Sequence, residues 1–429
     1  MPIFEKNKLN YFLLLVILLS YFVGFYIREI SNGAGHIDLE FHIWIIILDL
    51  KQNFLDTLEN YQVYNEATFP FFHSFQSFFN PATKNYFYSL NNTLFNLLII
   101  FIFFQFLKLK KIKFENNFLI FFVPLILLLS PWFRSSSYWG MTENFAFFFL
   151  IPSLYFLDLL IKKKITINEN LLLTILISLT LYARQQYIFL AVFHIVILII
   201  NDNKKNLIFS IIIYFLLSLP GIYILNLWGA FNDLSQTTSA SSNLNIKNIF
   251  LNIPKISSLF FFYSLPIILI NYSKFLKIIF LKKNIFIFIS IFLIKLILFD
   301  DLYYPAKGGG YIVKFTQLFL HNNSILLILI SSIIFTSFII FVNFNNYQYF
   351  LILPLIYLNF GFTEFLYQEW FDPLYLIFFY IFFSKEQILN LRLNRDYAIK
   401  ILMLWEFFIL LIALIYYHGI KGLPIFYFF

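Results

Sequence analysis

The stretch LNYFLLLVILLSYFVGFYI, Leu9 to Ile27, decides the fold. Its nineteen residues carry no charge. That is close to the roughly 20 residues of helix that cross a bilayer core, and too long for the apolar heart of a cleaved secretory signal. It reads as an uncleaved first span. Ser31 to Asn85 follows, a mixed segment with six carboxylates and three histidines. This segment opens GAGHIDLEFH, Gly33 to His42, and ends NEATFPFFH, Asn65 to His73. Apolar runs then recur at about 87–107, 117–131, 141–161, 170–183, 187–200, 207–228, 256–271, 284–299, 323–342, 349–363, 373–384 and 398–417. The short pairs around Arg184 and Glu364 each read as two spans or one broken helix, giving about 11–13 crossings.

Composition agrees. Hydrophobic residues are 61% of the chain, charged residues 12%, and mean hydropathy is +0.80. About a quarter of a soluble globular chain is charged. The class is an all-α polytopic transmembrane bundle, a single integral membrane domain over 1–429. Residues 29–86 form a large first outer loop, and Phe41 to Leu58 has the apolar spacing of helices lying at the interface. The absence of cysteine removes disulfides and thiolate chemistry. The excess of Lys and Arg over Asp and Glu, 30 to 22, is modest and gives no reason to expect nucleic acid.

Charge supplies the topology. With the amino terminus inside and strict alternation, inner segments 1–8, 108–115, 162–169, 201–206, 272–283, 343–348 and 385–397 hold 18 Lys plus Arg. The much longer outer segments hold 9, as orientation by positive charge requires. Thirteen of the 22 acidic residues fall on the outer side. Acidic residues contribute little to orientation, so outer-face chemistry is the better account of them.

The candidate residues follow from that side. Asp38, Glu40 and His42 sit just past the first span. Desolvation raises a carboxylate there toward the range of a general base, and one helical turn stacks Asp38 with His42. The bland alternative is a solvated loop end. In the outer connection Trp132 to Asn144, Arg134 suits a phosphate oxygen and Glu143 faces the same side; the alternative is aromatic anchoring with a helix cap at Thr142. Arg184 and Gln185 interrupt a hydrophobic stretch on the side disfavoured for cations, which suggests an anion. Lys307, Lys314 and Gln317 flank Gly308-Gly-Gly310, whose backbone admits an anion closely without forming a P-loop. Glu66, Glu364 and Glu369 are further outer carboxylates. No H-E-x-x-H and no aspartate-rich triplet is present, so neither a metal nor another cofactor is expected.

Together these residues resemble the GT-C superfamily of polytopic glycosyltransferases, and more narrowly the family of the dolichol-pathway α-1,2-glucosyltransferase. That family's D-E-x-F-H is matched by Asp38, Phe41 and His42, with the acidic neighbour at Glu40. Its T-x-P resembles Thr68-Phe69-Pro70, and its R-Q-T-N resembles Arg184-Gln185-Gln186-Tyr187. Its late G-D-x-x-x-H…H-x-P-Q-L-x-Y resembles Gly308 to Phe319, where Gln317-Leu318-Phe319 fit and Lys314 replaces a histidine.

The resemblance implies a sugar moved with inversion from a polyprenyl-phosphate donor to a glycan or lipid-linked acceptor. Asp38 would be the base, assisted by Glu40 and His42. Arg184, Gln185, Arg134, Lys307, Lys314 and Gln317 would hold the donor phosphate, while Glu66, Glu143, Glu364 and Glu369 would face the sugars. The expected setting is a bacterial inner membrane with the site toward the periplasm. Alternatives are a transporter or flippase, or a polymerase, of polyprenyl-linked saccharides.

Overall fold

The computed structural model describes residues 2–31, 35–64, 68–228, 246–279, 347–361 and 371–420, with a few positions between 330 and 342. Every regular element among them is helical. Bilayer physics favours this, because a helix satisfies its backbone groups within the segment. Four helices are long and apolar enough to cross a membrane: Asn85–Leu109, Thr142–Ile161, Lys204–Leu227 and Asp396–Tyr417. A fifth is added if Leu119–Leu129 and Pro131–Trp139, bent by 69°, count as one broken span. Five shorter apolar helices accompany them: Asn10–Tyr26, Ile167–Ala183, Gln185–Ile200, Lys255–Ile270 and Asp372–Phe382. The runs expected at 284–299 and over most of 323–342 lie outside the described residues.

In chain order, α1 is Pro2–Tyr26. α2 comprises Gly35–Asp38 and Trp44–Gln52, joined by a wide π turn at Leu39–Ile43. α3 is Phe54–Glu59, α4 Phe71–Phe79 and α5 Asn85–Leu109. α6 is Leu119–Leu125, tightening into a 3-10 turn at Ile126–Leu129, and α7 is Pro131–Trp139. α8 is Thr142–Ile161, α9 Ile167–Ala183, α10 Ile188–Ile200 and α11 Lys204–Leu227. α12 is Ile246–Ile270, α13 Asp372–Ile377 opening into a wide turn at Phe378–Phe382, and α14 Asp396–Leu414. The loop between α1 and α5 thus holds three helices, and the apolar spacing of Phe41 to Leu58 accounts for the first two.

Local chemistry sets the breaks. Ser130 caps α7 by accepting the Phe133 N–H at 3.1 Å, and Pro131 fills the first helical position, where no N–H is needed. Gly140, at φ +63°, ends α7 in the left-handed conformation. An ideal Cβ there would lie 2.5 Å from Tyr88 Cε1 and 2.7 Å from Asn92 Nδ2 of α5. Gly140→Ala therefore combines backbone strain of about 1–2 kcal/mol with overpacking of similar size. Thermal unfolding in detergent should show a clear loss of stability. At the other end of α8, α9 begins with a capping box: Glu169 accepts the Thr166 N–H at 2.7 Å, and Thr166 accepts the Glu169 N–H at 3.3 Å.

Between helices in lipid, polar side chains act as glue at about 0.6 kcal/mol each on average. Asn170 of α9 donates to Ser210 of α11 at 2.8 Å, and His194 of α10 bonds both Asn170 (3.0 Å) and Tyr214 (2.9 Å). His194 is thereby explained structurally.

Contacts between chain segments separate the bundle's two ends. At one end Lys110 pairs with Asp158 at 3.4 Å, Asn394 donates to the Lys113 carbonyl at 2.8 Å, Asn201 donates to the Leu160 carbonyl at 2.9 Å, and Lys274 reaches the Asn390 carbonyl at 2.8 Å. Nearly all these groups lie in or beside segments expected inside. At the other end Trp139 donates to the Glu29 carbonyl at 3.2 Å, Arg184 pairs with Glu143, and Asn359 donates to the Gln186 carbonyl at 2.7 Å. These groups lie in or beside the segments expected outside.

One connection is corrected. Residues 132–140 are expected as an outer loop, yet α7 is a helix with all nine residues buried. Its polar groups are matched by the end of α1 and the residues just after it, a hundred or more residues earlier. Ser31 donates to the Pro131 carbonyl at 2.7 Å, and Tyr138 donates to the Tyr21 carbonyl at 2.6 Å.

Candidate functional site

The site is assembled where the start of α2 lies against α7, within the electrostatic reach of the first turn of α8. Gly35 permits the approach: a Cβ there would fall 2.8 Å from Trp139 Cδ1 and 3.2 Å from Ser135 Oγ of α7. His36 lies beside the same Trp139, ring centroids 5.9 Å apart, and its buried Nδ1 has no partner among the described residues. Asp38 follows, half-buried, at the start of the π turn. Such a turn adds one residue to the helical repeat and is common at functional sites. Partial burial pushes the Asp38 carboxyl above the usual aspartate range, and the negative charge of Glu143 pushes it further; His42 and His36 pull the other way.

Glu143 lies in the first turn of α8, and Arg184 caps the end of α9 in an extended conformation. Because α8 and α9 are antiparallel neighbours joined by a short turn, their side chains meet at one end. Arg184 Nη2 donates to Glu143 Oε1. The pair is 15% and 12% exposed, so it is only partly screened by water. Glu143 Oε2 and Arg184 Nε are buried with no partner among the described residues, and the Thr68 hydroxyl at the start of the Thr68-Phe69-Pro70 turn is in the same condition. Phe71, just past that turn, packs on Phe145 of α8 (5.5 Å) and Tyr182 of α9 (6.1 Å), which brings the turn alongside both helices. Buried polar atoms without partners are uncommon in native proteins and call for an explanation. Here a polar ligand would supply the missing bonds.

Asp38 therefore feels the charge of Glu143, and Glu143 in turn pairs with Arg184, with His42 exposed one turn beyond Asp38. Gln185 opens a 3-10 turn next to Arg184. Glu40 is exposed and lines a shallow pocket with Arg28, Tyr86, Ser89 and Trp139.

Arg134 is corrected. Its Nε donates to Glu29 at 2.9 and 3.1 Å, Nη2 to Glu29 at 2.5 Å and to the Ser20 carbonyl at 2.8 Å, and Nη1 to the Leu128 carbonyl at 3.1 Å. At 2% exposure it has no free edge for a phosphate; it fastens α7 to α1. Glu66, Lys307, Lys314, Gln317, Glu364 and Glu369 lie outside the described residues. His73, at the end of the NEATFPFFH string, is fully buried. Tyr61 OH meets its Nδ1 at 2.5 Å, and burial pushes the ring's pKa down to about 3, keeping it neutral. Among the described residues no three His, Asp or Glu side chains converge as a metal site.

Sequence reading missed His36 and Glu29. His36 was legible as a histidine two residues before Asp38. Glu29 carried no signal, because only the folded chain sets it opposite Arg134.

The electrostatics make one result checkable. Glu143→Gln removes a like charge near Asp38 and should lower the Asp38 pKa. If ionised Asp38 is the active form, activity falls as pH drops through that pKa. The acid limb of the pH–rate profile then moves to lower pH in the variant. An unmoved limb, or one moved upward, contradicts the coupling.

Comparison of the chain with known protein families, characterised proteins and solved structures finds no match.

Proposed function

We propose that this protein is a membrane glycosyltransferase of the GT-C type, crossing the bilayer about 11–13 times. It would transfer a sugar from a polyprenyl-phosphate donor to a glycan or lipid-linked acceptor, with the site at the periplasmic face of a bacterial inner membrane. The observation that carries the reading is half-buried Asp38 within the electrostatic reach of Glu143, which pairs with Arg184 while Glu143 Oε2 and Arg184 Nε lack partners among the described residues. A base and an under-bonded arginine, linked through one glutamate, are the minimum apparatus for displacing a phosphate leaving group.

In this mechanism the donor enters from lipid with its phosphate at the rim. Asp38 accepts the proton of an acceptor hydroxyl, whose oxygen attacks the anomeric carbon from the face opposite the phosphate. The carbon–oxygen bond to the lipid phosphate breaks with inversion, and Arg184 meets the negative charge that develops on the departing phosphate. Gln185 adds a donor beside it. Lys307, Lys314 and Gln317 remain part of the proposed phosphate site, and Glu66, Glu143, Glu364 and Glu369 part of the sugar site. Glu40 and His42 flank the base, His42 moderating its charge.

The experiment is incubation of purified protein with polyprenyl-phosphate monosaccharides and a lipid-linked acceptor, scoring release of lipid phosphate together with acceptor glycosylation. Both products are expected in step. Vesicle uptake of the intact donor without either product would instead mark a transporter. That second reading is favoured by one observation, a buried acid pair deep in the bundle, taken up next.

A further inference from the structure

Asp372 and Glu406 face each other inside the bundle and take no part in the transfer reaction. Asp372 opens α13, and Glu406 lies ten residues into α14, about 15 Å of helix from its start. They are 1% and 3% exposed. Ionisable groups at such depth are costly and rare, and are functional candidates by default. Ser130, at the break between α6 and α7, donates to Asp372 Oδ2 at 2.6 Å, and the Trp132 N–H is a second donor. The two carboxyls are in hydrogen-bond contact with each other. Even so, Asp372 Oδ1 and Glu406 Oε2 are buried with no donor facing them among the described residues.

An ionised carboxylate only accepts, so two can bond only if one carries a proton. Two bare charges in contact in this surrounding would be far costlier than one neutral acid and one anion. Tyr375, one turn along α13 and 1% exposed, also has a hydroxyl without a partner among the described residues.

The neighbours supply no neutralising cation among the described residues. From α12, Tyr263 stacks on Tyr375 at 5.8 Å, and Lys255 lies eight residues before it, about 12 Å along the helix. From α7, Arg134 is taken by Glu29. In α14, Lys400 pairs with Asp396 at 2.9 Å near the helix start, and Tyr380 is the remaining titratable group beside Tyr375.

We propose that Asp372 and Glu406 form an intramembrane proton-binding site, one proton being held between the two carboxyls at neutral pH beside the Ser130 and Tyr375 hydroxyls. The Ser130 hydroxyl also accepts the N–H that starts α7, so the site is one hydrogen bond from the helix on which α2 and Asp38 rest.

Infrared spectroscopy of the purified protein tests this. At pH 7 the wild type should show the carbonyl stretch of a neutral carboxylic acid, shifted in D2O and retained in Asp38→Asn. The double variant Asp372→Asn/Glu406→Gln, whose amides can bond each other without a shared proton, should lose the band and keep thermal stability near wild type. Glu406→Ala should be much less stable. No such band in the wild type, its full persistence in the double variant, or its loss on adding sodium at constant pH overturns the proposal. The last result would assign the site to a metal cation. Should the double variant fail to fold, the wild-type and Asp38→Asn spectra still decide: the band present in both and insensitive to sodium supports the proton, and any other pattern overturns it.

Discussion

Asp38→Asn should cut sugar transfer from a polyprenyl-phosphate donor by about 10²–10⁴-fold, the usual contribution of a positioned general base. Protein level and thermal stability should stay close to wild type. The amide copies the shape of the carboxyl but cannot take a proton from the acceptor. Asp38 is only half-buried, so a folding defect is not expected to mimic the loss. Glu40→Gln is the matched control. Glu40 is an exposed acid two residues on that lines a pocket with Arg28, and its change should cost little. Full activity in Asp38→Asn, or equal losses in the two variants, removes Asp38 as the base.

Arg134→Met should destabilise the fold by about 3–5 kcal/mol, the cost of leaving one member of a buried ion pair without its partner. Glu29 would remain buried opposite an apolar chain, and the Ser20 and Leu128 carbonyls would lose their donors. Adding Glu29→Gln should recover part of the loss, because the uncompensated charge is then gone while the carbonyls stay unbonded. Unfolding in detergent, followed for both variants, checks the sign and the recovery. If Arg134→Met is as stable as wild type yet binds donor poorly, the arginine is a phosphate ligand after all.

These two residues mark where the sequence can and cannot be read. Arg184 was legible because an arginine stranded between two apolar runs has no topological reason to be there, and Glu143 because it opens an apolar helix on the same side. Their meeting follows from the antiparallel pairing of consecutive helices, a short-range consequence of a tight turn. Arg134 looked equivalent from sequence alone. Its environment is set by Glu29, Ser20 and Tyr21, more than a hundred residues away, and no local pattern encodes that pairing. The same long-range matching hides α7 itself: PWFRSSSYW is too polar to read as a buried helix until the end of α1 is placed against it. Glu406 is a charge inside the apolar run 398–417, a signal visible in the sequence, whereas Asp372 sits at the edge of the run 373–384 and carries no such signal. Only the folded chain, with the Ser130 break beside Asp372, makes them a pair.

The most direct test of the central claim, that Arg184 holds donor phosphate within reach of Asp38, exploits the absence of native cysteine. In Asp38→Cys the introduced thiol is the only one in the chain, and its rate of maleimide labelling reports access to the rim. The account predicts that a polyprenyl-phosphate sugar slows labelling strongly, and that adding Arg184→Gln largely abolishes the protection. Labelling that is indifferent to donor, or protection that survives loss of the arginine, would contradict it.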